Sequence, residues 1–317
     1  MTTEPDPADR GSSHEVGRLL ADGRQTLAEA GVDSPETDAT ALLACAWDTD
    51  ARGVARARLM GDAVPDAVAV AYRGLLERRA TRIPLQHLTG VAHFRTLTLP
   101  VGPGVFVPRP ETELLVDPVL AHLARTHPAG GARVLDLCTG TGALGLAVAA
   151  EAAGTSAVGV ELQEEALAWT RRSAEAHREE LARRGSRFTP VRADATEPDA
   201  VAAVVSQHLG GRVDAVVSNP PYVVDDGTTT APEVVVHDPA AALWGGGDDG
   251  TRIPGLVIEA AARVLEPGGL LVLEHADTQG AALRVACARS GFAEAVTHAD
   301  YTGRDRFTAA VLQSRPH

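Results

Sequence analysis

Val213-Asp214-Ala215-Val216-Val217-Ser218-Asn219-Pro220-Pro221-Tyr222 is the stretch on which the reading of this chain turns. A short apolar run ends in an amide, two prolines and an aromatic, the pattern of a buried strand that delivers Asn219 to a sheet edge. Pro220 and Pro221 supply no backbone donor and hold φ fixed, so the carbonyls here are free to accept from outside the sheet. The Asn219 side-chain oxygen and the Pro220 carbonyl are therefore candidate acceptors for the two hydrogens of a planar NH2 group. Tyr222 is placed to pack on its face, with Pro221 in the same substrate-binding turn. An isolated Asn-Pro is an ordinary strand-end turn; the full tetrad downstream of a glycine-rich loop points to chemistry.

That glycine-rich loop is Asp136-Leu137-Cys138-Thr139-Gly140-Thr141-Gly142-Ala143-Leu144-Gly145, where a first strand turns into a first helix. Glycines let a backbone pass close to a ligand, and a helix N-terminus offers unused N–H groups. Gly140 to Gly145 matches GxGxxG, with Glu161 about twenty residues on to hold a ribose, which by itself is a dinucleotide fingerprint and favours a dehydrogenase. Two features turn the reading elsewhere. Asp136 would lie close to a pyrophosphate, which disfavours a dianion and suits the ammonium of a methionine moiety. The Asn219 tetrad has no role in hydride transfer.

Together these features suggest S-adenosylmethionine. The cofactor-binding set is then Asp136, the backbone of Cys138, Thr139, Gly140, Thr141 and Gly142 around the methionine part, and Glu161 on the ribose hydroxyls. Asp194 takes the adenine amino group with Ala195 beside it, and Asn219 lies next to the reacting methyl. No metal is expected.

Around these motifs the chain alternates strand and helix from Ala132 onward. Strands are predicted at 133–137, 157–161, 188–191, 213–218, 270–273, 295–298 and 307–312, the last two antiparallel because no helix separates them. Helices are predicted at 142–150, to about 184, and at 198–209, 254–265 and 280–290. Such alternation gives an α/β fold with a parallel sheet covered on both faces. Residues 226–235 and 244–251 read as mobile loops.

Upstream, 1–12 reads as a disordered leader. Helical spacing recurs over 14–30, then from a Ser34-Pro35-Glu36 N-cap to about Trp47, and over 65–79, giving a small helical domain at 13–86. A hairpin connector covers 87–110. It leads through Val107-Pro108-Arg109-Pro110-Glu111-Thr112-Glu113 into a helix that Pro118 is placed to kink, and the catalytic domain takes 111–317.

Composition bounds the partners. The 317 residues carry 29 basic side chains, all arginine, against 42 acids, a formal net charge of −13. Residues 1–95 hold 14 acids against 11 arginines and the remainder 28 against 18, so neither part is net basic. That disfavours phosphate-driven binding to nucleic acid. Cys45, Cys138 and Cys287 form no CxxC pair and suit a reducing cytosol. No signal peptide or run of membrane-spanning length is evident, and a cytoplasmic monomer is expected.

Pro84-Leu85-Gln86-His87-Leu88-Thr89-Gly90, the Pro108–Glu113 segment, the Asp136–Gly142 loop, Asn219-Pro220-Pro221-Tyr222 and Leu273-Glu274 with Gln279 occur in an order that resembles the peptide-chain release factor glutamine methyltransferases. The resemblance spans nearly the whole chain. It implies a Rossmann-like class I S-adenosylmethionine-dependent methyltransferase fold, with a seven-stranded, mostly parallel sheet and a small N-terminal helical domain that docks substrate. It also implies methylation of the side-chain nitrogen of the glutamine in a release factor's Gly-Gly-Gln loop, with S-adenosyl-L-homocysteine as product. Asn219, Pro220 and Tyr222 become the catalytic residues, and Arg109 joins the tetrad in binding substrate.

The tetrad alone is shared with adenine-N6 and guanine-N2 methyltransferases, which stand as the alternative; a dehydrogenase and an inactive cofactor-binding adaptor are further ones. Against the family's usual pattern, His87 replaces Tyr, Glu161 replaces Asp, His237-Asp238-Pro239 replaces Glu-Pro, and Ala195 stands where some members have an aromatic.

Overall fold

Every residue of Val213–Ser218 is buried, and the strand sits inside a seven-stranded sheet. The computed structural model describes residues 14–225 and 238–313; the predicted leader, the loop at 226–235 and His237 lie outside them. Strand labels follow the chain. The sheet is built from β5 (Arg133–Leu137), β6 (Ser156–Glu161), β7 (Arg187–Arg192), β8 (Val213–Ser218), β9 (Leu265–Glu274), β10 (Phe292–Ala299) and β11 (Asp305–Leu312). Its order is β10-β11-β9-β8-β5-β6-β7. Pairs from β7 to β9 are parallel and both pairs of β11 are antiparallel. One strand is therefore reversed against six.

The period of two along each strand sends neighbours to opposite faces. Leu135, Leu137 and Val216 join a core with Val257, Ile258 and Leu283. Val134, Ala215 and Val217 join another with Leu115, Val119 and Leu146. Each such aliphatic side chain contributes roughly 1.5–3 kcal/mol of burial.

Helices α6 (Val116–Thr126), α7 (Ala143–Glu151), α8 (Glu164–Arg183), α9 (Pro198–Leu209), α10 (Arg252–Val264) and α11 (Gly280–Arg289) connect or cover the strands. Ala143–Ala150 of α7 is buried on every side, which its Ala, Gly, Leu and Val composition permits. A 3-10 turn, Pro110–Leu115, precedes α6, so Pro118 falls in the first turn of that helix, where its missing N–H costs no intrahelical bond. The expected kink has no cause there.

The described residues divide into two compact units, one ending at Gly90 and one starting at Val91. The division departs from the expected bounds at 86 and 110. Leu85–Thr89 is a short helix (α5) capped by left-handed Gly90. The hairpin β3 (Val91–Phe94) and β4 (Leu97–Pro100) belongs with the sheet. Arg95 at its tip binds Glu151 of α7 at 2.6 and 2.7 Å and Asp117 of α6 at 2.9 Å, so the hairpin is tied to the α/β unit and is no free connector.

The first unit contains α1 (Val16–Glu29), α2 (Pro35–Ala46), α3 (Ala51–Met60) and α4 (Asp66–Ala80), with the two-residue strands β1 (His14–Glu15) and β2 (Ala63–Val64). Leu27, Leu42, Leu43, Tyr72 and Leu76 form its core. A buried ion pair, Arg79 Nε to Asp38 Oδ2 at 2.8 Å, joins α4 to α2. The Ser34 side chain makes no capping bond to α2. Helix α3, absent from the predicted set, has clear end signals: the Asp50 carboxylate accepts from Gly53 N at 2.7 Å and Gly61 closes it at φ 69°.

Candidate active site

Strands β5 and β8 lie side by side with Leu137 opposite Ser218, and the Ser218 hydroxyl donates to the Leu137 carbonyl at 2.7 Å. The chain runs from β5 to β6 on one side and returns to β8 on the other. The two strand ends therefore open at the switch point where open α/β sheets bind ligands. Register alone brings Cys138 and Asn219 to adjacent positions.

At the β5 end, the turn is braced from beneath. Asp136 is fully enclosed; its Oδ2 accepts from the Thr139 hydroxyl at 2.5 Å and from Gly145 N at 2.9 Å. Burial pushes it up to about 7 against those two bonds, and the charge of Glu161 adds to the rise. The carboxyl read as a partner for an ammonium is thus spent mainly on its own turn, with Oδ1 left unpartnered.

Cys138 takes φ 58° at the turn, and burial first, then Glu161 and Asp136, raise its thiol far above the ordinary range. It is a neutral packing group. Thr139 N donates to Val160 O at 3.0 Å, Gly142 N to Thr139 O at 2.8 Å, and Thr170 of α8 donates to the Gly140 carbonyl at 2.5 Å.

The glycines divide by cause. A Cβ on Gly145 would come within 2.6 Å of the Phe188 ring, and one on Gly159 within 2.5 Å, so both are set by packing. A Cβ on Gly140 would meet nothing within 4 Å, although its φ of 57° is left-handed. The outer face of the turn is open, and no acceptor among the described residues takes the N–H of buried Thr141.

Glu161 ends β6. Its Oε2 accepts from Gly140 N at 3.0 Å and its Oε1 from Gln163 N at 2.9 Å, while burial raises its pKa against these bonds. Each carboxylate oxygen keeps a second lone pair for a hydroxyl. After β7, Asp194 Oδ1 accepts from the backbone and hydroxyl of Thr196 at 2.8 and 2.6 Å, and Ala195 is buried beside it.

At the β8 end, Asn219 is partly exposed and Pro220 and Pro221 are buried. The Asn219 Nδ2 donates to the hydroxyl of buried Thr112 at 3.3 Å. Among the described residues neither the Asn219 Oδ1 nor the Pro220 carbonyl meets a donor. One half of the amide is anchored and the other is presented beside a second acceptor. The Tyr222 hydroxyl donates to Glu274 Oε1 at 2.9 Å, and burial together with that carboxylate raises the phenol. Its hydroxyl is therefore held by β9, a contact the tetrad by itself does not announce.

The expected mobile loop at 244–251 is clamped. Gln279 Nε2 donates to both Tyr222 O and Asp249 O at 2.8 Å, and a Cβ on Gly245 or Gly250 would overlap backbone of Tyr222 and its neighbours. These two glycines permit close approach to the tetrad rather than mobility.

Arg109 Nη2 pairs with buried Asp238 at 3.0 Å and its guanidinium lies over Phe106, 5.0 Å from the ring centre. That pairing ties the Pro-Arg-Pro segment down.

No role in the site was read from the sequence for Thr112, which entered only within the Pro108–Glu113 signature, or for Thr170 and Phe188. Glu274 and Gln279 entered it only as signature residues. Thr112 carried a faint signal, a hydroxyl between two acids just inside a helix start; Thr170 and Phe188 carried none. No group of three or more His, Cys, Asp or Glu among the described residues is placed to hold a metal.

A doubly wound sheet with this turn and this tetrad is a methyltransferase architecture. Residues 103–248 match the methyltransferase small domain and residues 18–90 the PrmC N-terminal domain. A release factor glutamine methyltransferase of Bifidobacterium longum is 45% identical over 297 residues, covering 92% of this chain and 98% of that protein. One of Streptomyces coelicolor is 44% identical over 294 residues, covering 92% and 96%. A solved methyltransferase of Pyrococcus furiosus is 18% identical, with a TM-score of 0.46 over 69% of this chain and 91% of its own. The chain belongs to the release factor glutamine methyltransferase family.

Proposed function

We propose that this protein transfers a methyl group from S-adenosyl-L-methionine to the side-chain amide nitrogen of the glutamine in the Gly-Gly-Gln loop of peptide-chain release factors. The observation that carries this reading is the pair of unpartnered acceptors, Asn219 Oδ1 and Pro220 O, beside an open glycine turn. A planar NH2 group with two hydrogens fits two acceptors. The relatives are named for an amide of that kind.

When bound, the cofactor supplies a sulfonium methyl and leaves as S-adenosyl-L-homocysteine. The turn from Cys138 to Gly142 would hold its methionine part, Glu161 its ribose hydroxyls, and Asp194 with Ala195 its adenine. The open face at Gly140 and the unused Thr141 N–H support that placement; Asp136 acts by bracing the turn.

An amide nitrogen is a poor nucleophile because its lone pair is delocalised into the carbonyl. Asn219 and Pro220 accept its hydrogens, aim it, and favour the positive charge that builds on it. The proton leaves to solvent after the N–C bond forms, so no strong base is required beforehand. Orientation of this kind supplies on the order of 7–11 kcal/mol, against about 1 kcal/mol net for one neutral hydrogen bond.

A nucleobase amino group has the same two hydrogens, but a net charge of −13 opposes a polyphosphate partner. The helical unit docks the body of the release factor, and the protein works as a cytoplasmic monomer. Among the described residues no helix is long and apolar enough to cross a membrane.

The test is incubation with labelled S-adenosyl-L-methionine and purified release factors, followed by mass spectrometry of the Gly-Gly-Gln peptide. One methyl group on the glutamine is expected. An unmodified glutamine, or label in added DNA or RNA, overturns the assignment. Unchanged methylation of the intact factor by a chain lacking residues 1–82 removes the docking role.

A further inference from the structure

We propose that Gln279 is a positioning residue for the methyl transfer: its carboxamide fixes the exit of the Asn219 tetrad, and with it the direction in which the Pro220 carbonyl is presented. This rests on the reaction proposed above. The β8 ladder ends at Ser218, which pairs with Leu137 on one side and Leu273 on the other. Pro220 and Pro221 follow with no N–H to give. The residues that leave acceptors free for a substrate therefore also give up the bonds by which a sheet would hold them. Asn219 has its own anchor in Thr112. Among the described residues the Pro220 carbonyl has none, so its direction is set by what grips the chain on either side.

The grip beyond the prolines is on Tyr222. Gln279 Nε2 donates one hydrogen to Tyr222 O and the other to Asp249 O, both at 2.8 Å, and its Oε1 accepts from Ala276 N at 2.9 Å. The side chain is 3% exposed, and both amide hydrogens are in use. Gln279 is the N-cap of α11, yet its side chain makes no capping bond to that helix. A side chain serving its helix would accept from the first free N–H groups; this one is turned toward the tetrad. The rest of the exit closes around the same point. The Tyr222 hydroxyl donates to Glu274 Oε1 at 2.9 Å, Val223 N to Leu243 O at 2.8 Å and Gly245 N to Val223 O at 3.0 Å. A Cβ on Gly250 would stand 2.4 Å from Tyr222 O and 2.9 Å from Gln279 Nε2, so only glycine lets the loop reach this shared contact.

The position calls for two donors to two carbonyls and one acceptor for an N–H, which a carboxamide supplies. Glutamate has the same size, but an ionised carboxylate only accepts, which sets it against both carbonyls. The Tyr222 peptide then turns away, and the Pro220 carbonyl two residues earlier leaves the line of the substrate N–H. A misplacement of about 1 Å can lower a rate on the order of a hundredfold. The loss falls on turnover, because the glycine turn at the end of β5 keeps its own bracing.

The test combines kinetics with a measurement that needs no substrate. Gln279→Glu is expected to lower kcat on a release factor about ten- to hundredfold, with little change in the KM for S-adenosyl-L-methionine. The chain has three tyrosines, so 3-fluorotyrosine incorporated into the full-length protein gives a short fluorine spectrum. The Tyr222 resonance, identified by its loss in Tyr222→Phe, is expected to shift or broaden in Q279E, whereas that of Tyr72, buried in the helical unit, stays in place. Wild-type kcat in Q279E, an unchanged Tyr222 resonance there, or a KM for S-adenosyl-L-methionine that rises in step with the fall in kcat overturns the proposal. If Q279E fails to fold, the unmutated protein decides: both Gln279 side-chain hydrogens should exchange slowly with solvent, and rapid exchange removes the contact. A displaced Tyr222 resonance in a protein that methylates no glutamine leaves the hold on the tetrad standing and removes the substrate assignment instead.

Discussion

The ends of β5 and β8 are neighbours in the sheet and opposite in design. The β5 turn is braced from within, its Thr141 N–H left open: Asp136, Thr139, Glu161 and Thr170 hold its other groups, and Phe188 fills the space beneath its glycines. The β8 tip satisfies only half of itself. Asn219 is held by its Nδ2, and Oδ1 and the Pro220 carbonyl are kept without partners. A rigid seat and an incomplete hydrogen-bond set, side by side, form a site that holds one ligand and completes itself with another. Each end has a buried carboxyl close by, Asp136 in one and Glu274 in the other, both pushed up to about 7 by burial.

The largest expected effect probes the incomplete end. Asn219→Ala should lower kcat on the order of 10²–10³-fold, the scale seen when one preorganised polar group is removed from a reaction centre. Calorimetric binding of S-adenosyl-L-methionine should largely survive. Unchanged turnover, or loss of cofactor binding in its place, would erase the division of labour between the two ends.

The next effect concerns the paired carboxyls. Each binds its proton more tightly in the folded protein than in the unfolded chain, where 3.8 and 4.5 apply. Their stabilising contribution is therefore present below those values and lost as pH rises through about 7, by a few kcal/mol in total. Urea unfolding across this range should show stability falling, and Asp136→Asn or Glu274→Gln should each flatten the fall. A steeper fall in either variant would contradict the sign.

The smallest effect separates packing glycines from the open one. Gly145→Ala and Gly159→Ala should each cost about 1–3 kcal/mol of unfolding free energy through overlap with Phe188. Gly140→Ala should cost about 1 kcal/mol, from its left-handed φ, while weakening cofactor binding. The reverse order in denaturant titrations would show that Phe188 moves aside easily.

Much of this was legible in the chain because local patterning and tertiary burial agree. The apolar runs at 133–137 and 213–218 are strands with the expected bounds, since helices cover both sheet faces and a continuous apolar run suits that environment. The reversed last pair followed from the missing helix between its strands. Strand β9 begins five residues before its predicted start because Leu265 pairs with Val213 across a register shift, which no local pattern reports.

Helix α3 was passed over because Val54 and Ala57 are its only buried residues, too few for a visible stripe. Residues 244–251 look loose in composition, yet a single side chain from α11's N-cap, Gln279, fastens them. The strand-end position of Asp136 is visible in the sequence, whereas its hydrogen bonds to Thr139 and Gly145 come only with the folded turn.

Residue order alone therefore determined the sheet, the glycine turn, the tetrad and the class of reaction, because each depends on contacts within a few residues and on periodic burial. Tertiary structure decided the direction of the hydrogen bonds. The Asn219 amide is anchored through its Nδ2 by the hydroxyl of Thr112, 107 positions away in the chain. A hydroxyl or an amide can face either way until folding brings it a partner that accepts only one.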